Sequence, residues 1–97
     1  MDREKLGNLH DLTGRVAIIT GGTRGIGKAI AEGFGVAGAK IAVASRKADA
    51  CDAMVAHLAE MGIEAIGVPT HMGDLDSISN LVDETVAAFG RIDIVVN

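Results

Sequence analysis

Gly21, Gly25 and Gly27 are spaced as Gly-x-x-x-Gly-x-Gly within Thr20-Gly21-Gly22-Thr23-Arg24-Gly25-Ile26-Gly27. A short β-branched run, Arg15 to Thr20, precedes them, and a helical pattern begins near Gly25. Without Cβ atoms the backbone can turn sharply and come close to a ligand. A helix start behind the turn offers unpaired N–H groups and a partial positive charge. Together these suit the paired phosphates of a dinucleotide. Gly21, Gly22, Thr23, Arg24, Gly25, Ile26 and Gly27 are assigned to that cradle.

Two rival glycine motifs fit less well. The fingerprint G-x-G-x-x-G fails at Thr23, where its second glycine should stand. The nucleotide-hydrolase loop G-x-x-x-x-G-K-[ST] runs from Gly22 to Lys28 and fails at Ala29, where a Mg²⁺-binding hydroxyl is needed. The later strands end in Ser45, Pro69 and Asn97, so none supplies the aspartate that helps hold Mg²⁺.

A second set of groups follows the second strand: Ser45, Arg46 and Lys47. A carboxylate there would accept hydrogen bonds from a ribose 2′-hydroxyl and repel a 2′-phosphate. None is present. Arg46 can grip a 2′-phosphate with charge-assisted bonds, with Ser45 as a neutral donor. Arg24 can add positive charge from the other side. Basic residues at a helix start oppose its dipole, which favours a ligand role for Arg46 and Lys47 over a merely solvated helix start.

The elements that must position these residues alternate regularly. After Arg15–Thr20, the first helix should carry Ile26, Ala29, Ile30, Gly33, Phe34 and Ala37 on its inner face and end at Gly38. Gly33 costs about 1 kcal/mol relative to Ala inside a helix, and close packing on a strand is the expected reason for it. A second strand covers Lys40–Ala44. A second helix, Ala48–Met61, aligns Cys51, Met54, Val55, Leu58 and Met61, and Gly62 stops it. The third strand is Glu64–Val68, closed by Pro69. Asp74 should cap a third helix that buries Leu75, Ile78, Leu81, Val82, Val86 and Phe89 before Gly90. A fourth strand, Ile92–Val96, finishes at Asn97. Such a β-α-β-α-β-α-β order predicts an α/β, Rossmann-like three-layer fold with a parallel sheet and right-handed crossovers. Residues 1–11, polar and aperiodic, read as a solvated tail, and residues 12–97 as one nucleotide-binding domain.

Composition agrees. The chain has 97 residues, enough for one domain, with 48% hydrophobic and only 2% aromatic residues, so its core must be aliphatic. A net charge of −4 and no basic stripe argue against nucleic acid. The run Val16-Ala17-Ile18-Ile19 is too short to span a membrane, and Met1-Asp2-Arg3-Glu4-Lys5 lacks a signal-peptide core. Cys51 alone cannot form an internal disulfide, which fits a reducing, cytoplasmic setting. His10 and His57 lack the spacing of metal ligands. Cys51 and Met54 read as core, and Asp83 and Glu84 as solvated surface.

Thr20-Gly21-x-x-x-Gly25-Ile26-Gly27 resembles the glycine motif of the short-chain dehydrogenase/reductases. Leu12-Thr13-Gly14-Arg15-Val16-Ala17, Gly38-Ala39-Lys40 and Gly90-Arg91-Ile92-Asp93-Ile94-Val95-Val96-Asn97 extend the resemblance over residues 12 to 97. It implies hydride transfer between NAD(H) or NADP(H) and a small-molecule alcohol or carbonyl, in a homo-tetramer or homo-dimer. Basic residues at positions 24 and 46 imply NADP(H), with NAD(H) the alternative. Asn97 matches the first Asn of the family's Asn-Asn-Ala-Gly, a structural and cofactor-contacting position. His71-Met72 stands where the family commonly has Asp-Val against the adenine. There His71 is expected to stack on or hydrogen-bond the ring, and the Met72 N–H to serve as before. Ser45-Arg46-Lys47 with His71-x-Gly73 resembles NADPH-dependent carbonyl reductases. The catalytic Ser, Tyr and Lys implied by the resemblance match no position in this chain. The chain has no tyrosine, so by itself it is expected to bind nucleotide and not to turn over substrate. A second reading is a non-catalytic dinucleotide-binding or scaffold protein of the same fold.

Overall fold

The structure is a computed structural model that describes residues 11–97. The expectations for Asp2 to Lys5 and for His10 lie outside the described residues. Four strands alternate with three helices: β1 (Val16–Thr20), α1 (Gly25–Val36), β2 (Lys40–Ser45), α2 (Ala48–Glu60), β3 (Ala65–Pro69), α3 (Leu75–Phe89) and β4 (Ile94–Val96). The sheet is parallel throughout and ordered β3-β2-β1-β4. The chain therefore steps outward from β1 to β3 and then returns to the other side of β1. This is the α/β, Rossmann-like arrangement read from the alternation. The return creates a strand-order reversal at β1, the place where open α/β sheets bind ligands at their carboxyl edge.

Side chains of a strand alternate between faces. Ala17, Ile19, Ile41 and Val43 face one way and pack with Ala31 of α1 and with Met54 and Leu58 of α2. Ile18, Ala42, Ala44 and Val68 face the other way and pack with Leu81 of α3. Both faces of the central strands are covered, so β1 and β2 read as continuous apolar runs. Pro69 is the last residue of β3 and pairs with Ser45. β3 lies at the sheet edge, where the missing N–H costs no ladder bond.

The phase of α1 differs from the expectation. Ala31 is its one buried residue, and Ile26 is 81% exposed. Ala29 and Gly33 are exposed as well. The inward stripe runs through Gly27, Ile30, Ala31, Phe34 and Gly35, about one residue on. Gly27 fixes this rotation, because a Cβ on it would collide with the Gly21 carbonyl. Gly33 has nothing within 4 Å of a would-be Cβ, so it makes no close packing. Gly35 does: a Cβ there would lie 2.5 Å from Ile63 Cδ1. As expected, Gly38 lies just past the helix, at φ +110°.

The other helices show smaller corrections. α2 ends at Glu60, and Met61, beyond it, is exposed. Cys51, Met54 and Leu58 are buried. His57, expected near the polar side, lies with Nε2 3.1 Å from Glu32 Oε2 and ties α2 to α1. In α3 the buried residues are Leu81 and Thr85, whereas Leu75 is 82% exposed and Val82 and Val86 are exposed too. Burial of Thr85 is possible because its hydroxyl donates to the Leu81 carbonyl at 2.7 Å. Asp74 caps α3 as expected, its carboxylate accepting from the Asp76 N–H at 2.9 Å.

β4 begins at Ile94, two residues later than expected. Its approach is set by Asp93, whose carboxylate accepts from the Val16 N–H at 2.9 Å and from Arg91 Nη2 at 2.6 Å and Nε at 2.9 Å. Arg15 adds a longer contact at 3.5 Å. These bonds clamp the start of β4 against the start of β1. Among the described residues, no helix is long and apolar enough to cross a membrane.

Candidate functional site

The glycine turn lies at the carboxyl end of β1. Its Gly21 N–H donates to the Ala44 carbonyl at 2.8 Å, tying the turn to the end of β2. Gly21 and Gly25 have φ of +68° and +62°, a region that favours glycine. Open space surrounds the would-be Cβ of each. Gly22 and Gly27 serve the interior. A Cβ on Gly22 would lie 3.1 Å from both Ile19 O and Val43 Cγ1, and one on Gly27 would strike Gly21. The turn is thus closed on its protein side and bare on its outer side.

Arg24 is the N-cap of α1, extended at φ −160°, and no side chain caps this helix. Its first turn carries no acidic residue. The N–H groups at that end are therefore left for an external acceptor. Thr23 and Arg24 line a cleft of about 310 Å³ with Ser45, Arg46, Lys47 and Ala50. An adjoining space of about 240 Å³ joins Gly21, Arg24 and Arg46 to Thr70 and Met72. No carboxylate lines either one. Among the described residues, Arg15, Lys40 and Arg91 are held in ion pairs, whereas Arg24, Arg46 and Lys47 are in none. The cations at the cleft thus have no internal counter-charge, as is also true of Lys28 outside it.

Ser45 is held from behind. Its carbonyl accepts from the Thr70 N–H at 2.7 Å and from the Cys51 thiol at 3.7 Å. Burial pushes the Cys51 thiol up from its ordinary value, outweighing the opposing bond to Ser45, so the sulfur keeps the proton it donates. Thr70 is itself buried and donates its hydroxyl to the Val68 carbonyl at 2.8 Å. Neither supporting role was visible in the sequence, where Cys51 read only as core and Thr70 carried no signal.

His71 and Met72 follow β3 and are exposed. His71 shares a third space, of about 270 Å³, with Arg46, Pro69, Thr70 and Ser77. Asn97 lies at the end of β4, where the Thr20 hydroxyl donates to Val96 O at 3.1 Å and to Asn97 Oδ1 at 3.3 Å. Thr20 thereby fastens β4 to β1 at the carboxyl edge. Ile26 projects into solvent at the same edge. All the sequence-selected residues thus lie at the carboxyl ends of the four strands, but only Gly21, Thr23, Arg24, Ser45, Arg46, Lys47 and Met72 share the two adjoining clefts.

A larger cavity, about 450 Å³, lies elsewhere, between β3 and α3. Its walls are Ile66, Gly67, Val68, Glu84, Ala87 and Ala88, with one carboxylate and no cation. Such a lining does not suit phosphate, and the smaller clefts at the glycine turn do.

Comparison with known proteins agrees with this geometry. The sequence profile of the short chain dehydrogenase family matches residues 15–97. Short-chain dehydrogenase/reductase SDRA of Arabidopsis thaliana is 47% identical over 85 residues, covering 88% of this chain and 34% of that protein. Tropinone reductase-like 3 of Erythroxylum coca is 44% identical over 84 residues, covering 87% and 33%. The chain thus spans about a third of the length of the curated relatives it matches. Among solved structures, a 7α-hydroxysteroid dehydrogenase complexed with NADH and 7-oxo glycochenodeoxycholic acid superposes with a TM-score of 0.91 at 35% identity, covering 100% of this chain and 37% of that one. A metagenomic short-chain oxidoreductase in complex with NADP gives 0.80 at 33%, covering 87% and 38%. With the glycine turn, the strand order and these matches in agreement, the chain belongs to the short-chain dehydrogenase family.

Proposed function

We propose that this chain forms the NADP(H)-binding part of an oxidoreductase that moves hydride between nicotinamide and a small-molecule alcohol or carbonyl. Residues 12–97 make up the cofactor domain in this reading. The carrying observation is the cleft that brings Arg46 and Ser45 opposite Thr23 and Arg24 with no carboxylate among them. The bare outer side of Gly21 and Gly25 and the uncapped start of α1 would receive the pyrophosphate. Arg46 and Arg24 would hold the 2′-phosphate from two sides, with Lys47 adding charge and the Ser45 hydroxyl a neutral bond. Met72 would offer its N–H to the adenosine end, and Asn97 would fix the nicotinamide end of the edge through Thr20. Bound nicotinamide supplies the hydride acceptor or donor. The residues of this chain bind and orient, and the acid and base that exchange a proton with substrate are assigned to other residues of the whole protein.

Solved relatives are titled with NADH in one case and NADP in another, so the preference rests on this chain's own side chains. Titration of the intact protein should give NADPH at least about tenfold tighter than NADH, a difference of about 1.4 kcal/mol. Arg46→Ala should remove most of that preference and leave NADH binding nearly unchanged. Equal affinities in the unaltered protein, or an NADPH affinity indifferent to Arg46→Ala, would overturn the assignment.

A further inference from the structure

Three methionines lie among the described residues, and their surroundings differ. Met54 belongs to the core and is only 3% exposed. Met61, just past α2, is 40% exposed and lines neither cleft at the glycine turn. Met72 is 46% exposed and lines the space shared by Gly21, Arg24, Ser45 and Arg46. The backbone around Met72 is held on both sides. The Gly73 N–H donates to His71 Nδ1 at 3.0 Å, and the Asp74 N–H donates to the His71 carbonyl at 3.0 Å. The His71 N–H in turn donates to Ser77 Oγ at 2.8 Å. The Met72 Cβ is thereby fixed beside the cleft, while an unbranched thioether with three rotatable bonds can move across its mouth.

We propose that Met72 is an oxidation site that controls access of the dinucleotide. The inference rests on the dinucleotide reading above. Hydrogen peroxide oxidises an exposed thioether by giving up one oxygen. A sulfur lone pair forms the S–O bond, the O–O bond breaks, and the rest of the peroxide leaves as water. The sulfur loses two electrons and the peroxide gains them. The product is larger by one oxygen, polar, and a hydrogen-bond acceptor. Arg24 and Arg46 line the same space, and no carboxylate there engages them. The new oxygen can take N–H donors that a phosphate would otherwise use, and it occupies room in a space of about 240 Å³. Both effects weaken binding. A dithiol-dependent sulfoxide reductase reverses the change, as two thiols become a disulfide and the oxygen leaves as water. Met61 offers the same chemistry with no cleft to disturb, and Met54 is shielded from the oxidant.

The test treats the intact protein with hydrogen peroxide, maps the sulfoxides by peptide mass spectrometry, and titrates NADPH before and after. Met61 and Met72 should oxidise ahead of Met54. NADPH affinity should fall at least about fivefold, in step with the sulfoxide at Met72, and methionine sulfoxide reductase should restore it. Saturating NADPH should slow oxidation of Met72 and leave that of Met61 unchanged. Whatever affinity Met72→Leu starts with, peroxide should change it by less than about twofold, whereas Met61→Leu should respond as the unaltered protein does. Resistance of Met72 to peroxide, unchanged NADPH affinity after its oxidation, a loss of about twofold or more in Met72→Leu, or oxidation of Met72 unaffected by NADPH would each overturn the inference while leaving the dinucleotide reading intact. Absence of NADPH binding before any peroxide is added would overturn both.

Discussion

Gly27 and Gly33 sit in the same helix, and a methyl group distinguishes them. At Gly27 it would meet the Gly21 carbonyl, which is backbone and cannot swing aside. Gly27→Ala should therefore open the turn and weaken NADPH binding by roughly 2 kcal/mol or more. At Gly33 the added carbon meets open space, and the residue is not in the left-handed region. Gly33→Ala should raise stability by about 0.5–1 kcal/mol and leave binding alone. Thermal melts with nucleotide titrations on both variants check the pair. Weakened binding by Gly33→Ala, or unaltered binding by Gly27→Ala, would contradict this division of roles. Much at this scale was legible in the sequence. The glycine spacing, the basic corner at Arg46 and the Asp74 cap each rest on a local chemical rule. Gly35 was not legible, because its partner Ile63 lies across the fold and no local rule connects them.

Between elements, one carboxylate adds to the ladder and the Thr20 bonds that tie β1 to β4. Hydrogen bonds from Arg91, then from the Val16 N–H, hold Asp93 below its ordinary value of 3.8. A carboxyl group with a lowered folded value binds protons more weakly folded than unfolded. Its stabilisation is present above the ordinary value and is lost as pH falls through the lowered one. Denaturant unfolding of the intact protein should show Asp93→Asn less stable than the unaltered protein near neutral pH. The gap should close as pH drops below the ordinary carboxylate range. A gap that persists unchanged into strong acid would mean that charge is not what Asp93 contributes. The order of elements was readable from the alternation of apolar runs and turn residues. Their rotation was not. Counting apolar residues placed Ile26 inside, whereas the close contact of Gly27 with Gly21 turns the helix so that Ile26 faces out. The same counting favoured Val82 and Val86 over Thr85, because a hydroxyl satisfied within its own helix looks polar in sequence and behaves as core. His57 and Glu32 are 25 residues apart, and only the packing of α2 beside α1 brings them together.

Across the whole molecule, the charge balance and the site oppose each other. The chain carries a net −4, yet its carboxyl edge gathers Arg24, Arg46 and Lys47 without a lining carboxylate. An anionic ligand gains little from the overall field and must be held by groups within about 8–10 Å, the screening length near physiological salt. The sheet order places those groups on neighbouring turns, because β1 and β2 are adjacent and both end at that edge. The central claim is that the backbone amides at the start of α1 receive the phosphates of a dinucleotide. Backbone amide shifts of the intact protein, followed by NMR during NADPH addition, test it directly. The largest changes should fall on Gly25, Ile26 and Gly27, together with Arg46. Saturable NADPH binding that leaves those amides unmoved would contradict the claim.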